Sequence, residues 1–447
     1  MIERKYDVVI IGGGISGAIA GIAAARSGAK TLIIEEMGFL GGALTGSGVN
    51  PMMTFHAGDV QVIRGITDEL VQNLVKINKS PGHIKDPGNF TATYTPIDSE
   101  GMKYELEKMY RDAGGTVLFH SQLVKSIVDD NKITEIQVLT RNGVININSS
   151  VFIDASGDAV LSVMSGVPTQ QGRESDGKTQ DMTMTFKMVD VDEPMLRKYV
   201  VEHPDEFWVD NDKFNVAKRV SVAGFKREWA QAKQDGEISK SNGRDYLLMF
   251  GTANEGEFVF NSTRISDHDP TDPWSLSDAE YIGRCQCHEL ELFVRRHIPG
   301  FANAHIVMTG PNIGVRSSRQ IEGAYQITAA DLLQQRIPDD TIAISGYPID
   351  IHDETASNVT KLPYGGYYGI PYRALVTKQL SNLIVTGRCI SASFEAQSAI
   401  RTTPTVGAIG EAVGDAAAVA AKNNIDVKDI NIKQLRKKLI DDGGFIR

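Results

Sequence analysis

Three glycines spaced as Gly12-x-Gly14-x-x-Gly17, followed by an acid at Glu35, are the residues whose types and spacing point most directly to chemistry. The apolar run Tyr6–Ile11 precedes them and is typical of a buried β-strand. A helical run to about residue 27 and a second apolar run, TLII, then lead to the acid. This order of strand, glycine turn, helix, strand and acid predicts a site for the pyrophosphate and ribose of a dinucleotide.

Each part of this motif has a physical task. The first glycine permits a tight turn, the second lets the backbone approach the pyrophosphate, and the third lets the helix lie close to the sheet. The N–H groups at the helix start, near Ile15 and Ser16, face the phosphates with partial positive charge. An acid after the second strand accepts a hydrogen bond from a ribose hydroxyl, and either Glu35 or Glu36 meets this requirement.

A second glycine cluster, GFLGGALTGSG at residues 38–48, favours FAD over NAD. It continues past the ribose acid, as suits a longer ligand that runs on across the domain. Its central residues, Gly41, Gly42 and Ala43, are predicted cofactor contacts.

A third glycine cluster lies near the end of the chain, where the apolar run NLIVTGR is followed by a helix predicted to begin near Thr405. The amino end of such a helix stabilises negative charge on a reduced flavin ring. The cofactor contacts predicted here are Gly387, Arg388, Gly407, Ala408 and Ile409.

Alternating short apolar runs over residues 115–154 predict a β-meander that ends in FIDASGDA. Here the chain resembles the glutathione-reductase-type FAD flavoproteins, whose matching motif is Ala-Thr-Gly-Asp. The resemblance implies FAD contacts at Ala155, Ser156, Gly157 and Asp158, with serine replacing threonine, and it places Val124 beside the adenine.

More narrowly, the chain resembles the FAD-dependent oxidoreductases that group with the flavoprotein component of heterodisulfide reductase. Matching segments include GFLGGALTGSGVNP, GVRSSRQIEGAYQITAADLL and GIPYRALVTKQLSNLIVTGRCISASFEAQSAIR. The resemblance implies the fold and the cofactor more firmly than it implies a substrate.

The predicted fold class is α/β, with a Rossmann-like FAD-binding domain that contains the β-meander, plus an inserted α+β substrate or cap domain. Amphipathic helices are predicted at 102–114 and 278–297. The domains are expected at 1–50, 96–165 and 372–432 for FAD, 51–95 and 166–371 for the cap, and 433–447 for a C-terminal helix.

Composition excludes several classes of protein. The formal net charge of −10 over 447 residues disfavours nucleic acid and anionic membranes as partners. The uncharged stretch 8–25 is rich in glycine, so it indicates a buried strand and helix rather than a membrane span or a signal peptide. Three cysteines are consistent with a reducing compartment, and a cytoplasmic location is expected.

No metal site is expected. Cys285 and Cys287 lie two apart in a predicted helix, where they point to different faces, and three cysteines cannot supply a [4Fe–4S] cluster. Related proteins that attach FAD covalently carry a histidine shortly before this second glycine pair. Met37–Leu40 precede the pair here, so FAD is expected to bind noncovalently. Cys389 is either a small buried residue beside the flavin or a redox-active thiol.

The candidate catalytic residues are Arg401, His56, Arg316 and Arg319. Arg401 lies in the segment GRCISASFEAQSAIRTT, whose small residues are predicted to let its backbone run close to the flavin. It is expected to clamp an anionic substrate, or else to form a salt bridge with Glu395 or Glu411.

Arg316 and Arg319 form either an anion clamp or interdomain ion pairs, and His56 is either a substrate contact or a structural histidine.

Two functions of the protein are compatible with these residues. The first is an oxidoreductase that transfers a hydride at flavin N5 on a small polar or anionic substrate. The alternative is an electron-transfer flavoprotein, related to that of heterodisulfide reductase but without its own iron–sulfur cluster, that serves a redox partner protein.

Overall fold

The computed structural model describes residues 5–352 and 357–447, so residues 1–4 and 353–356 of the predicted domain ranges lie outside it. The α-helices are α1 (Ile15–Arg26), α2 (Gly65–Lys76), α3 (Ser99–Asp112), α4 (Val160–Met164), α5 (Glu193–Glu202), α6 (Asn211–Val216), α7 (Lys226–Gln234), α8 (Pro273–His297), α9 (Ala329–Leu333), α10 (Phe394–Ile400), α11 (Thr403–Asn423) and α12 (Ile432–Asp441).

The strands are β1 (Tyr6–Ile11), β2 (Thr31–Ile34), β3 (Met52–Met53), β4 (His56–Ala57), β5 (Val60–Gln61), β6 (Ile84–Lys85), β7 (Thr93–Thr95), β8 (Thr116–Leu118), β9 (Gln122–Asp129), β10 (Lys132–Thr140), β11 (Gly143–Ile147), β12 (Ser149–Asp154), β13 (Thr169–Gln171), β14 (Phe186–Val189), β15 (Ser221–Gly224), β16 (Leu247–Gly251), β17 (Phe258–Phe260), β18 (His305–Thr309), β19 (Arg319–Ile321), β20 (Thr341–Ser345), β21 (Ile349–His352), β22 (Ser357–Thr360), β23 (Tyr368–Pro371) and β24 (Leu383–Val385).

A five-stranded parallel sheet in the order β24-β12-β1-β2-β8 forms the centre of the fold. Its strands are short runs of valine, isoleucine and leucine that are buried on both faces, as parallel sheets require. The predicted Rossmann-like α/β fold is therefore confirmed. Strands β9, β10 and β11 form the expected antiparallel meander beside it.

Helices α1 and α11 cross at close range over this sheet because glycines line their contact. A Cβ at Gly410 would lie 2.3 Å from the Ser16 carbonyl oxygen, and one at Gly414 would lie 2.2 Å from the Ala20 carbonyl oxygen. The close crossing holds the start of α11 near the start of α1.

A second hydrophobic core lies between residues 182 and 315, separate from the core around the parallel sheet. It covers the antiparallel sheet β15-β16-β17-β14-β18 and helix α8, and Phe186 stacks on Phe260 at 4.6 Å. The larger core also includes apolar side chains of residues 52–74 and 321–370, which the predicted domain division assigns to the cap.

Two helices begin earlier than their apolar pattern predicts, because aspartates cap them. Asp98 accepts a hydrogen bond from Gly101 N (2.7 Å) ahead of α3, and Asp272 accepts one from Ser275 N (2.8 Å) ahead of α8.

None of the helices in the described ranges is long and apolar enough to cross a membrane.

Candidate functional site

The glycines of the β1–α1 loop differ in whether neighbouring atoms leave room for a side chain. Gly12 has a φ of +95°, and a Cβ there would lie 2.5 Å from the Ala155 carbonyl oxygen. A Cβ at Gly17 would lie 2.0 Å from the Gly12 carbonyl oxygen, so close packing requires both glycines. At Gly14, however, a Cβ would meet only the Gly42 Cα, at 3.8 Å. Gly14 therefore borders open space.

Helix α1 begins at this opening. Gly14 precedes it without a side chain that could cap it, and the first helical hydrogen bond runs from Ala18 N to Gly14 O at 2.8 Å. The N–H groups of Ile15, Ser16 and Gly17 precede that hydrogen-bond ladder. Together with the helix dipole they suit a phosphate group.

The second glycine segment packs directly on the first. Gly41 N donates a hydrogen bond to Gly13 O at 2.9 Å, and a Cβ at Gly42 would lie 2.8 Å from the Gly14 Cα. Gly41 and Gly42 have φ angles of +116° and +55°, which favour glycine. Ala43, the next residue, is exposed. The two loops thus present adjoining backbone surfaces with little side-chain bulk.

Glu35 follows β2 and packs against the β1–α1 loop. Its Oε2 accepts a hydrogen bond from Gly13 N (2.6 Å) and its Oε1 accepts one from Met37 N (2.8 Å). Burial raises the pKa of this carboxyl group, and the two backbone N–H groups oppose the shift. Glu36 is exposed. Glu35 is therefore the better placed of the two acids to accept a ribose hydroxyl.

The turn after β12 is fixed by its own serine. Ser156 Oγ donates to Asp154 Oδ1 at 2.6 Å and accepts a hydrogen bond from Val160 N at 2.9 Å. A threonine hydroxyl has the same donor and acceptor capacity, so the serine keeps the function of the motif's usual residue.

Arg388 reaches across to this turn from the end of β24. Its Nη2 donates to Asp158 Oδ1 at 2.5 Å, and Ser318 Oγ donates to the same oxygen at 2.5 Å. A Cβ at Gly157 would lie 2.9 Å from Arg388 Nη1. Among the described residues, Arg388 Nε has no hydrogen-bond partner. The guanidinium group thus lies over the Gly157 backbone with one donor unused.

Helix α11 begins at Thr403, two residues earlier than predicted, so Gly407, Ala408 and Ile409 lie in its second turn. A Cβ at Gly407 would lie 2.6 Å from Thr67 Oγ1 on α2, so this glycine serves helix packing. The N–H groups without helical partners belong to the first turn, which starts near Thr403.

These segments, which we call the glycine site, are Gly12–Gly17, Gly41–Ala43, Ala155–Asp158 and Gly387–Arg388. They meet at the carboxyl ends of parallel strands, where doubly wound folds bind nucleotides. Open space at Gly14, uncapped N–H groups and an unused guanidinium donor fit the pyrophosphate of FAD.

Three buried arginines and the half-buried Arg401 lie close together where residues 182–316 meet the FAD-binding segments. We call Arg244, Arg264, Arg316 and Arg401 the arginine cluster. Burial, followed by the positive charges of the other three arginines, lowers the pKa of Arg316 to about 9. Arg264 has a lowered pKa for similar reasons, with burial first and Arg244 second.

The Nη donors of Arg316 bind acceptors within the protein. Its Nη1 donates to the Asp181 carbonyl oxygen at 2.5 Å, and its Nη2 donates to Asn261 Oδ1 at 3.2 Å. Arg264 lies 3.7 Å from Asp181 Oδ2. These two arginines are therefore held mainly by neighbouring protein groups.

Arg401, by contrast, is weakly held. Its Nη2 lies 3.5 Å from the Asp350 carbonyl oxygen, and its buried Nε has no hydrogen-bond partner among the described residues. The alternative salt bridges are not formed within those residues: Glu395 accepts from Ser393 Oγ (3.0 Å), and Glu411 accepts from Ile66 N (2.9 Å).

The carboxylate of Asp350 lies beside Arg401 but has other partners. Tyr347 Oη and His352 Nε2 each lie 3.1 Å from its Oδ2. Burial acts to raise the pKa of Asp350, yet His352 and Arg401 hold it below its usual value. Burial lowers the pKa of His352 to about 3, although Asp350 opposes this shift. At neutral pH the pair is thus a carboxylate and a neutral imidazole.

One buried side chain connects the arginine cluster to the glycine site. Gln397 Nε2 donates to the Arg316 carbonyl oxygen at 3.0 Å and to the Arg388 carbonyl oxygen at 3.4 Å. Its Oε1 accepts from Gln180 Nε2 at 3.1 Å. The Gln397 amide therefore bridges the backbone of Arg388, at the glycine site, and that of Arg316, in the arginine cluster.

The remaining candidates lie apart from the cluster. Arg319 is on β19, opposite Gln171, and its charge acts on Asp269. His56 is on the β4–β5 hairpin, with Nδ1 3.1 Å from Thr93 Oγ1 and its ring 5.3 Å from that of His83. Burial, then the neighbouring His83, lowers the pKa of His56 to about 4. Their catalytic roles stay predictions.

Val124 lies on β9 and is 40% exposed, so its contact with adenine also stays a prediction. Cys389 is fully buried, its Sγ lies 3.5 Å from the Thr386 carbonyl oxygen, and burial raises the pKa of its thiol. A buried, protonated thiol is a poor nucleophile. This environment favours the packing interpretation of Cys389.

Sequence reasoning missed half of the arginine cluster. Arg244 and Arg264 stand in the unremarkable stretches NGRDY and NSTRISD, with no spacing or composition that marks them. Asp350 lies in YPIDIHD, which resembles the family but suggests no chemistry. Only the tertiary packing of the chain brings these residues to Arg316.

Comparison with solved structures shows the fold. The chain matches p-nitrophenol 4-monooxygenase from Pseudomonas putida with a TM-score of 0.50 and 9% identity, covering 96% of this chain and 83% of that one. It also matches a geranylgeranyl bacteriochlorophyll reductase-like protein from Thermoplasma acidophilum (TM-score 0.48, 14% identity, 98% and 83% covered). L-proline dehydrogenase from P. horikoshii matches with a TM-score of 0.46 and 12% identity over 100% of both chains.

No curated protein matches the chain in sequence. The family described as FAD dependent oxidoreductase, however, matches it over residues 7–439. That match spans the parallel sheet, the glycine site and the arginine cluster alike. The chain belongs to the FAD dependent oxidoreductase family, and it is an enzyme that uses FAD.

Proposed function

We propose that this oxidoreductase transfers a hydride between flavin N5 and a carbon atom of a small anionic substrate bound at the arginine cluster. The observation that carries the proposal is Arg401, a half-buried cation whose buried Nε donor is unused and which forms no salt bridge among the described residues. A buried guanidinium group requires an acceptor, and a carboxylate is its best match.

The position of Arg401 supports this role. It immediately precedes Thr402, the residue before the first turn of α11, and α11 crosses α1 beside the glycine site. An anion held by Arg401 thus lies near the helix end expected to face the flavin. FAD, when bound, supplies the two-electron chemistry, so the protein has to bind, orient and desolvate the substrate.

Arg316 positions the site, since its donors are occupied by Asp181 and Asn261. Its charge still adds to the positive potential that favours an anion or a developing enolate. The Asp350–His352 pair lies beside Arg401, whose Nη2 is 3.5 Å from the Asp350 carbonyl oxygen, and this contact orients the guanidinium group.

The test is anaerobic titration of the purified holoenzyme with candidate unsaturated acids and their reduced forms, with NADH and NADPH as further reductants. Bleaching or reoxidation of the flavin by a small acid supports the proposal. Inertness to every small molecule, with electron flow only through a copurifying protein, supports instead the electron-transfer role, in the manner of the heterodisulfide reductase flavoproteins.

Arg401→Lys then tests the clamp, because lysine keeps the charge but cannot make the two-pronged contact. Turnover should fall at least about tenfold, with unchanged flavin content and melting temperature. Arg373→Lys is the matched control, since this arginine pairs with Asp340 at 2.8 Å on an exposed surface. Normal turnover of the Arg401 variant, or loss of its flavin, contradicts the role.

We also propose that FAD is attached noncovalently and that the protein is located in the cytoplasm.

A further inference from the structure

Arg244 is the most unusual side chain of the arginine cluster. Its residue is 1% exposed, and its Nε, Nη1 and Nη2 atoms all lack hydrogen-bond partners among the described residues. Its backbone, by contrast, is fixed: its carbonyl oxygen accepts from Trp229 Nε1 (2.9 Å) and Lys233 Nζ (2.7 Å). The described part of the chain therefore holds this arginine firmly while leaving its guanidinium group unused.

The neighbours of Arg244 do not replace an anion. The Tyr246 ring lies 4.9 Å from its guanidinium carbon, which stabilises the charge through the ring face but accepts none of the N–H groups. Arg316 and Arg264 add positive charge nearby. Arginine does not escape such a site by deprotonation.

The nearby acids among the described residues have other partners. Asp181 lies by Arg264, and Asp350 accepts from Tyr347 and His352. Asp245 is exposed. An anion from outside the chain is thus the acceptor that the Arg244 guanidinium group lacks.

Two arginines with unused donors lie near Arg316. Both Arg244 and Arg401 act on its charge, and its own Nη atoms are occupied by Asp181 and Asn261. Arg244 belongs to the 182–315 unit, whereas Arg401 belongs to the α10–α11 junction. The unused donors therefore come from two separate parts of the chain, both near Arg316.

We propose that the substrate is a small diacid, with one acidic group bound by Arg401 and the other by Arg244. The inference rests on the proposed function for the location of the site, and it adds the substrate class. Each arginine offers the fork geometry that binds a carboxylate or a phosphate with two hydrogen bonds. A monoacid carries one group of this kind, whereas a diacid carries one for each arginine.

Calorimetric titration of the holoenzyme tests the inference without requiring turnover. The probes are malonate, succinate, glutarate and phosphoglycolate, each compared with a monoacid of similar length such as propionate or butyrate. We expect at least one diacid to bind at least about tenfold more tightly than its matched monoacid. Preference for phosphoglycolate over the dicarboxylates identifies a phosphate as the second group.

Arg244→Gln should reduce the affinity for the preferred diacid at least about tenfold, to that of the matched monoacid. Arg244→Lys, which keeps the charge, should lose about tenfold and serves if the glutamine variant does not fold. Arg373→Gln is the exposed control. Equal affinity for diacids and monoacids, or an unchanged diacid affinity in folded Arg244 variants, overturns the inference. Because binding is measured directly, diacid binding combined with a flavin that is inert to every small molecule in the redox titration overturns the proposed function alone.

Discussion

Glu411 gives this protein a pH-dependent stability that one substitution should remove. The side chain lies within α11, where its Oε2 accepts a hydrogen bond from Ile66 N at 2.9 Å. Burial, followed by the charges of Asp415 and Asp442, raises its pKa from 4.5 to about 7, whereas the Ile66 N–H and Lys438 oppose the shift. The folded protein therefore favours the protonated carboxyl group.

The sign and size of the effect follow from linkage. A group whose pKa is higher in the folded state contributes its full stability below the unfolded pKa of 4.5, and that contribution is lost as the pH rises through about 7. Between pH 5 and pH 8 the loss is about 2.5 kcal/mol. For a chain of 447 residues this corresponds to a change of about 3 °C in melting temperature.

Glu411→Gln stays neutral and keeps an oxygen that can accept from Ile66 N. We expect its melting temperature, relative to that of the parent protein, to rise by about 3 °C between pH 5 and pH 8. Calorimetric scans of both proteins across this range provide the measurement. Glu255→Gln is the control, because that side chain is 88% exposed. A constant difference between the Glu411 variant and the parent at all pH values would refute the reasoning.

Three further predictions concern the cofactor and its surroundings. Gly14→Ala should fold as the apoprotein but bind FAD at least about tenfold more weakly, whereas Gly17→Ala should lose both stability and flavin because its Cβ would lie 2.0 Å from Gly12 O; melting curves and flavin absorbance separate these outcomes. Cys389→Ala should keep flavin content and turnover, and the native thiol should resist iodoacetamide, since it is fully buried. Acid precipitation should release the yellow cofactor, and flavin retained by the precipitate would contradict noncovalent binding.

The glycine motif could be recognised from the sequence because its chemistry is local. Strand, turn and helix follow one another within about thirty residues, and backbone geometry alone dictates glycine at Gly12 and Gly17. The parallel sheet was predictable for a related reason, since strands buried on both faces are continuously apolar. The start of α11 was misplaced by two residues because Pro404 at its first turn is as compatible with a loop as with a helix.

The arginine cluster could not be predicted in the same way. Arg244 and Arg401 lie far apart along the chain and join only through the packing of the 182–315 core against the FAD-binding segments. Nor does a sequence show which donors are already occupied. By sequence Arg316 is as good a candidate clamp as Arg401, yet its Nη atoms are taken by Asp181 and Asn261.

The segment GRCISASFEAQSAIRTT is predicted to use its small residues for close approach to the flavin, and that role stays a prediction; the structure shows that those residues also serve packing within the protein. A Cβ at Gly323 would lie 2.8 Å from the Ser391 Cβ, and Ile321 N donates to the Cys389 carbonyl oxygen at 2.9 Å. Small residues thus let this segment pack against residues 321–327.

That packing fixes the position of the arginine cluster relative to the glycine site. The segment carries Arg388 at one end, over the glycine site, and Arg401 at the other, in the arginine cluster. Gln397 lies between them, is fully buried, and donates to the backbone of both Arg388 and Arg316. Because α10 is short and rigidly packed, a shift of the cofactor-side arginine has to move the substrate-side arginine with it. Removing the Gln397 amide should therefore disturb substrate binding and flavin binding together, whereas changes at Arg401 should disturb substrate binding alone.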